Sequence, residues 1–114
     1  MLPRERNYLL DILKAAKLAQ EFVADVDWDA FQLDLMRQAA VTRQLEIIGE
    51  AARRISEESQ AEIPEIPWHQ IIGMRNRIIH EYDRINLSTL WNTVQLALPE
   101  LIAMLETITA AEEP

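Results

Sequence analysis

Hydrophobic spacing is the feature that most constrains this chain. Apolar residues recur every three or four positions along nearly all of its 114 residues, and no stretch alternates with period two. Leu9, Ile12, Leu13, Ala16, Ala19 and Val23 place a first amphipathic helix over residues 4–25, with Pro3 suited to a helix start because its missing N–H would be unpaired there. Asp25 to Asp29 form a short acidic junction around Trp28. Phe31, Leu35, Ala39, Leu45, Ile48, Ala52 and Ile55 continue the helical pattern over 29–59, with a break near Asp34. Gly49 lies inside that stretch and costs about 1 kcal/mol against Ala, so the expected reason for it is close packing of another element. Residues 60–67, with Pro64 and Pro67, form the loop; a third helix follows over 68–83. Asn86 or Ser88 caps a fourth that runs to about Ala111 and is kinked at Pro99, where a backbone donor is lost. The expectation is all-α: an antiparallel four- to five-helix up-and-down bundle, one domain over 1–114.

Composition removes whole classes of function. Cys is absent, which excludes a disulfide scaffold, a thiol nucleophile and cysteine-based metal sites. Two glycines cannot build a glycine-rich phosphate loop. No apolar run approaches the ~20 residues of a membrane span, and Met1 to Arg6 lacks a signal-like apolar stretch. A soluble, cytoplasmic protein without a membrane partner is expected. The net charge is −8, which argues against binding nucleic acid through the general field of the molecule. The basic residues are nonetheless concentrated, in 1–20, 37–56 and 67–86, and nine of the eleven are Arg. Arg is the type suited to bidentate contacts with phosphate or carboxylate, so local basic sites are compatible with the acidic whole.

The segment Met74-Arg75-Asn76-Arg77-Ile78-Ile79-His80-Glu81-Tyr82-Asp83-Arg84 carries the chemistry. At about 100° per residue, Ile71, Ile72, Met74, Ile78 and Ile79 form a stripe with Arg75 and Tyr82 in its middle, while His80 lies on the polar side beside Asn76 and Asp83. Arg is rarely buried unpaired. Either Arg75 meets a carboxylate inside the bundle, such as Glu46 or Glu50, or the stripe faces a second subunit or a cleft. His80 on its own reads equally as a surface histidine bonded to Asn76 or Asp83.

The run Arg75, four residues, His80, one residue, Tyr82 resembles the signature of HEPN domains of the HepT toxin family. Ala40-Val41 with Ile47-Ile48-Gly49-Glu50-Ala51 resembles that family's second-helix pattern, and Ile66-Pro67-Trp68 through Gly73-Met74-Arg75-Asn76 resembles its approach to the active-site helix. Trp91 and Leu98-Pro99-Glu100-Leu101 fit as well, so the likeness covers most of residues 5–105. Glu81 departs from it, standing where the family often has Gly. The resemblance implies a metal-independent endoribonuclease without a cofactor, acting on RNA and not DNA, and the toxin of a toxin–antitoxin pair. It implies Arg75 and His80 as catalytic residues, with Asn76 in support, and a minimal nucleotidyltransferase antitoxin that attaches AMP to Tyr82. Glu50 is our candidate for the group orienting Arg75. Each motif carries one His, whereas complete transphosphorylation wants an acid and a base, so a homodimer with a composite site is expected.

Other residues read more plainly. His69 is a capping or surface group. Arg53 and Arg54 suit a helix C-terminus and could also help hold RNA. Glu46 and Glu50 share a face, but without a third ligand at matching spacing they read as ion-pair partners, not a metal pair. Trp28, Trp68 and Trp91 read as core and interface aromatics. Tyr82 could simply pack its ring in the apolar stripe. Two further functions compete: a non-catalytic HEPN subunit that binds nucleotide and docks a nucleotidyltransferase, and a purely structural helical dimer.

Overall fold

Short polar side chains set where four of the helices begin. Asp27 accepts from the Ala30 N–H at 2.9 Å, Asp34 from Arg37 at 3.0 Å, Ser56 from Ser59 at 3.2 Å and Asn86 from Ser88 at 2.8 Å. Each satisfies a backbone donor that the first helical turn leaves unpaired. The computed structural model describes residues 1–81 and 85–111. Among these residues there are six helices: α1 (Pro3–Phe22), α2 (Trp28–Gln32), α3 (Leu35–Arg53), α4 (Glu57–Glu62), α5 (Trp68–His80) and α6 (Leu87–Ala111). No strand occurs among them.

The long helices pack antiparallel in sequence. The start of α1 meets the end of α3 through Glu5 and Ser56, and its end meets the start of α3 through Phe22 and Arg37. Arg6 near the start of α1 donates to the Thr109 carbonyl near the end of α6. Leu9, Ile12, Ala16, Val41, Ile48, Ala52, Ile78 and Leu105 form the centre of the shared core. Trp28, Phe31 and Trp91 form an aromatic cluster with centroids 5.1–6.4 Å apart. Trp68 is buried and its indole N–H donates to the Gln60 and Ile63 carbonyls, so the three Trp residues serve packing, as expected.

The second expected helix is corrected. Residues 29–59 are three helices, not one with a single break, and part of the expected 60–67 loop is helical. The break at Asp34 occurs as read, but α3 also stops at Arg53. Gln60 reaches back to the Ala52 and Ile55 carbonyls, and Ser56 starts α4. Beneath this turn Glu5 is buried, accepting from the Ser56 N–H at 3.3 Å and from the Ser59 hydroxyl. The first helix ends at Phe22 rather than Asp25 because Arg37 takes the Phe22 carbonyl at 2.7 Å while pairing with Asp25 and Asp34.

The irregularity expected at Pro99 takes the form of a π-helical turn over Thr93–Ala97, just N-terminal to the proline. The Leu98 N–H bonds the Thr93 carbonyl five residues back, which widens the turn where the proline ring would crowd a carbonyl. At 25 residues, α6 is also long and apolar enough, by length and composition, to cross a membrane. No continuous apolar run of that length occurs in it, because Glu100 and Glu106 interrupt the sequence. In the fold, Leu90, Val94, Leu98, Leu101 and Leu105 of α6 are core residues, and Glu106 pairs with Lys17 of α1. The third helix ends at His80, and Tyr82, Asp83 and Arg84 lie outside the described residues.

Candidate active site

The site is built where α5 crosses α3. A Cβ placed on Gly49 would lie 2.1 Å from the Arg75 Cβ and 2.8 Å from its Cγ. The two backbones approach so closely that only glycine fits, which is the close packing expected of Gly49. Arg75 thus enters the bundle at its root. Its side chain is 22% exposed, and its guanidinium emerges beside Glu50, the next residue of α3.

Two contacts hold that guanidinium. Nη2 lies 3.0 Å from the Glu50 Oε2 as an ion pair, and Nη1 donates to the Asn76 Oδ1 at 3.1 Å. Of the alternatives left open by the helical wheel, the internal carboxylate is realised, and it is Glu50; Glu46 pairs with Arg43 instead. Glu50 is shared further. Its Oε1 accepts from Arg53 Nη2 at 3.1 Å and from Arg54 Nε at 3.2 Å. The hydrogen bond from Arg53 is the main reason the Glu50 carboxyl sits below the usual carboxylate range; partial burial opposes it, and the charges of Arg53 and Arg75 and the Arg54 bond assist. Glu50 and the Tyr8 hydroxyl in turn raise Arg54.

His80 is the last residue of α5 and is exposed. Glu81 follows it, also exposed, with its carboxylate 3.7 Å from the Arg77 Nε. The structure therefore brings Arg75, Asn76 and Glu50 together. It sets His80 over a helical turn further on, and Tyr82 lies outside the described residues. His69 is an exposed residue in the first turn of α5, at the opposite end of that helix from His80, in line with its surface reading. No group of three or more His, Asp or Glu able to hold a metal occurs among the described residues.

Sequence reasoning treated Arg53 and Arg54 as helix-end cations and did not couple them to Arg75. The coupling runs through one carboxylate, which i, i+3 and i, i+4 spacing from Glu50 to Arg53 and Arg54 could have signalled. Tyr8 was missed entirely, because its neighbourhood to Arg54 arises from helix packing.

Comparison with known proteins places this sequence in a family. The profile of the family described as "Ribonuclease HepT-like" matches residues 12–108. A protein named "Probable ribonuclease HepT" in Thermococcus cleftensis is 40% identical over 96 residues, covering 84% of this chain and 87% of that one. One named "Putative RNase" in Methanocaldococcus jannaschii is 38% identical over 96 residues, covering 84% and 88%. Another of that name, in Caldanaerobacter subterraneus subsp. tengcongensis, is 34% identical over 108 residues, covering 95% and 96%. No solved structure matches the chain at a significant level. With the profile spanning most of the chain and these relatives covered almost end to end, the protein belongs to the HepT-like ribonuclease family.

Proposed function

We propose that this chain is an endoribonuclease in which Arg75 and His80 act on RNA at a site shared between two copies of the chain. The observation that carries the reading is the half-buried Arg75, anchored by Glu50 and Asn76 one helical turn and more from an exposed histidine. RNA supplies its own nucleophile. A base removes the 2′-hydroxyl proton, O2′ bonds to phosphorus, the P–O5′ bond breaks, and an acid returns a proton to O5′. The products are a 2′,3′-cyclic phosphate and a 5′-hydroxyl, with no water, metal or redox partner consumed. Imidazole suits both proton transfers near neutral pH. Arg75, held in place by Glu50, offers N–H donors to the charge that gathers on the phosphoryl oxygens.

Two copies supply the acid and the base. Arg75 and His80 diverge by about 140° around one helix, so a single α5 does not turn both onto one phosphate readily. The apolar side of α5 is also incompletely covered: Ile71, Ile72 and Met74 are only half-buried and Ile79 is 45% exposed. Packing two chains through this side covers that surface and brings two motifs together. Sedimentation equilibrium should give twice the 13.2 kDa chain mass; a fully active monomer would discard the composite site.

In the cell the reading is that of a toxin, neutralised by a minimal nucleotidyltransferase that transfers AMP to Tyr82. The support is the resemblance of the Arg75–His80–Tyr82 series. Added phosphate there would repel RNA and engage the basic groups. Tyr82→Phe should still cut RNA but resist neutralisation when the two proteins are co-expressed.

The deciding experiment is induction of the chain alone beside His80→Ala, with growth and total RNA followed in both. The wild type should halt growth and fragment RNA, and the variant should lose about 10²–10⁴ of the cleavage rate. Identical behaviour would favour the second reading, a non-catalytic subunit that docks a nucleotidyltransferase. Glu81 favours that second reading, since it sets an exposed carboxylate next to His80 where RNA phosphate would approach.

A further inference from the structure

A groove between α1 and α3 adjoins this site and has no part in the cleavage chemistry. Tyr8 and Asp11 line it from α1, and Arg43, Ile47, Glu50 and Arg54 line it from α3. Its volume is about 170 Å³, the size class of an apolar cavity of ~150 Å³ that admits benzene. Glu50 belongs both to this groove and to the Arg75 contact, so whatever fills the groove sits one carboxylate away from the catalytic guanidinium. The floor is apolar, with Ile47 and the half-buried ring of Tyr8. Of its lining residues Arg43 and Arg54 are cationic and Asp11 and Glu50 anionic, while Arg53 and Arg75 lie outside the lining but pair with the same Glu50. Arg43, Arg53, Arg54 and Arg75 share only Glu46 and Glu50 as ion-pair partners among the described residues. Arg53 and Arg54 remain 54% and 56% exposed, and a guanidinium carries five N–H donors, more than one shared carboxylate occupies. On a chain of net charge −8, Arg43, Arg53 and Arg54 against Glu46 and Glu50 leave this face of α3 slightly positive.

An aromatic ring with apolar neighbours and Arg side chains able to take a phosphate beside it are what an unpaired nucleotide requires. We propose that this groove is a base subsite, holding the RNA nucleotide next to the scissile bond, with its base against Tyr8 and its phosphate on Arg53 and Arg54. The Asp11 carboxylate lining the groove can only accept hydrogen bonds, and guanine presents two adjacent N–H donors on one edge, so guanine is the base it favours. This subsite rests on the nuclease reading above and gives it a sequence preference.

The test uses the full chain and labelled 12-mer single-stranded RNAs, oligo-U with and without a central guanine. Binding is followed by fluorescence anisotropy with the non-cutting His80→Ala form, and cleavage kinetics with His80 intact. Tyr8→Leu and Arg54→Gln should each weaken binding and raise KM about 10-fold, with kcat changing far less. Tyr8→Phe, which keeps the ring and loses only the hydroxyl beside Arg54, should bind far more tightly than Tyr8→Leu; circular dichroism checks that each variant is folded. Asp11→Asn should erase the preference for guanine. RNA binding that depends on Tyr8 and Arg54 in a chain that never cuts would keep the subsite and overturn the nuclease. Cleavage at parental KM in folded Tyr8→Leu and Arg54→Gln would keep the nuclease and overturn the subsite. A chain that neither binds nor cuts overturns both, and an unchanged base preference in Asp11→Asn overturns the assignment of guanine.

Discussion

A single missing methyl group sets the position of the Arg75 guanidinium. Because the atoms that Gly49 admits are the Cβ and Cγ of Arg75, not the tip of a flexible side chain, a larger residue there has nothing to push aside except α5 itself. Gly49→Ala should therefore lower stability by about 1–3 kcal/mol, as overpacking does, even though alanine is the better helix former. Urea unfolding gives the first number, and cleavage should fall with it because Arg75 moves away from Glu50. Both residues were legible in the sequence: Gly49 as a helical glycine wanting a neighbour, and Arg75 as a charge on an apolar stripe wanting a carboxylate. The sequence did not say that each was the answer to the other, since that pairing depends on the register in which α3 and α5 cross. Tyr8 was invisible for the same reason, standing far along the chain from the Arg54 it approaches.

At the scale of elements, periodicity locates the four long helices, with a break near Asp34 and a cap at Asn86 or Ser88 read from residue type, but it runs straight through the turn at Ser56. Glu57, Glu58, Ser59 and Gln60 are all compatible with helix, so the apolar pattern does not mark the stop. It is made by the Ser56 cap, by Gln60 folded back on the Ala52 and Ile55 carbonyls, and by one long-range partner, the buried Glu5 below Ser56 and Ser59. Ser56→Ala removes a cap and should cost about 1 kcal/mol, measurable as a lower urea midpoint. The π turn of α6 was similarly half legible: Pro99 predicts an irregularity, but whether the helix bends or widens is decided by Leu98 and Val94 having to stay in the core.

For the molecule as a whole, acid stability should report the two organising carboxylates. Glu5 is held low chiefly by its hydrogen bond from Ser59, with burial opposing, and Glu50 chiefly by Arg53. Both bind their proton less readily in the folded chain than in the unfolded one. Their contribution is therefore complete above the unfolded carboxyl range of about 4.3 and is lost as pH falls through the lower folded values. The urea midpoint should change little from these groups between pH 8 and 5 and drop below about pH 4. Glu50→Gln should shrink that drop, and an unchanged drop would mean that Glu50 is no anchor. The closeness at Gly49 reaches further than stability. Because the root of the guanidinium lies at this crossing, position 49 stays closed to any side chain for as long as α5 crosses there. The nearest atom is a Cβ that every residue except glycine carries, so giving up arginine at 75 leaves 49 as crowded as before: the glycine belongs to the crossing and outlasts the side chain it admits.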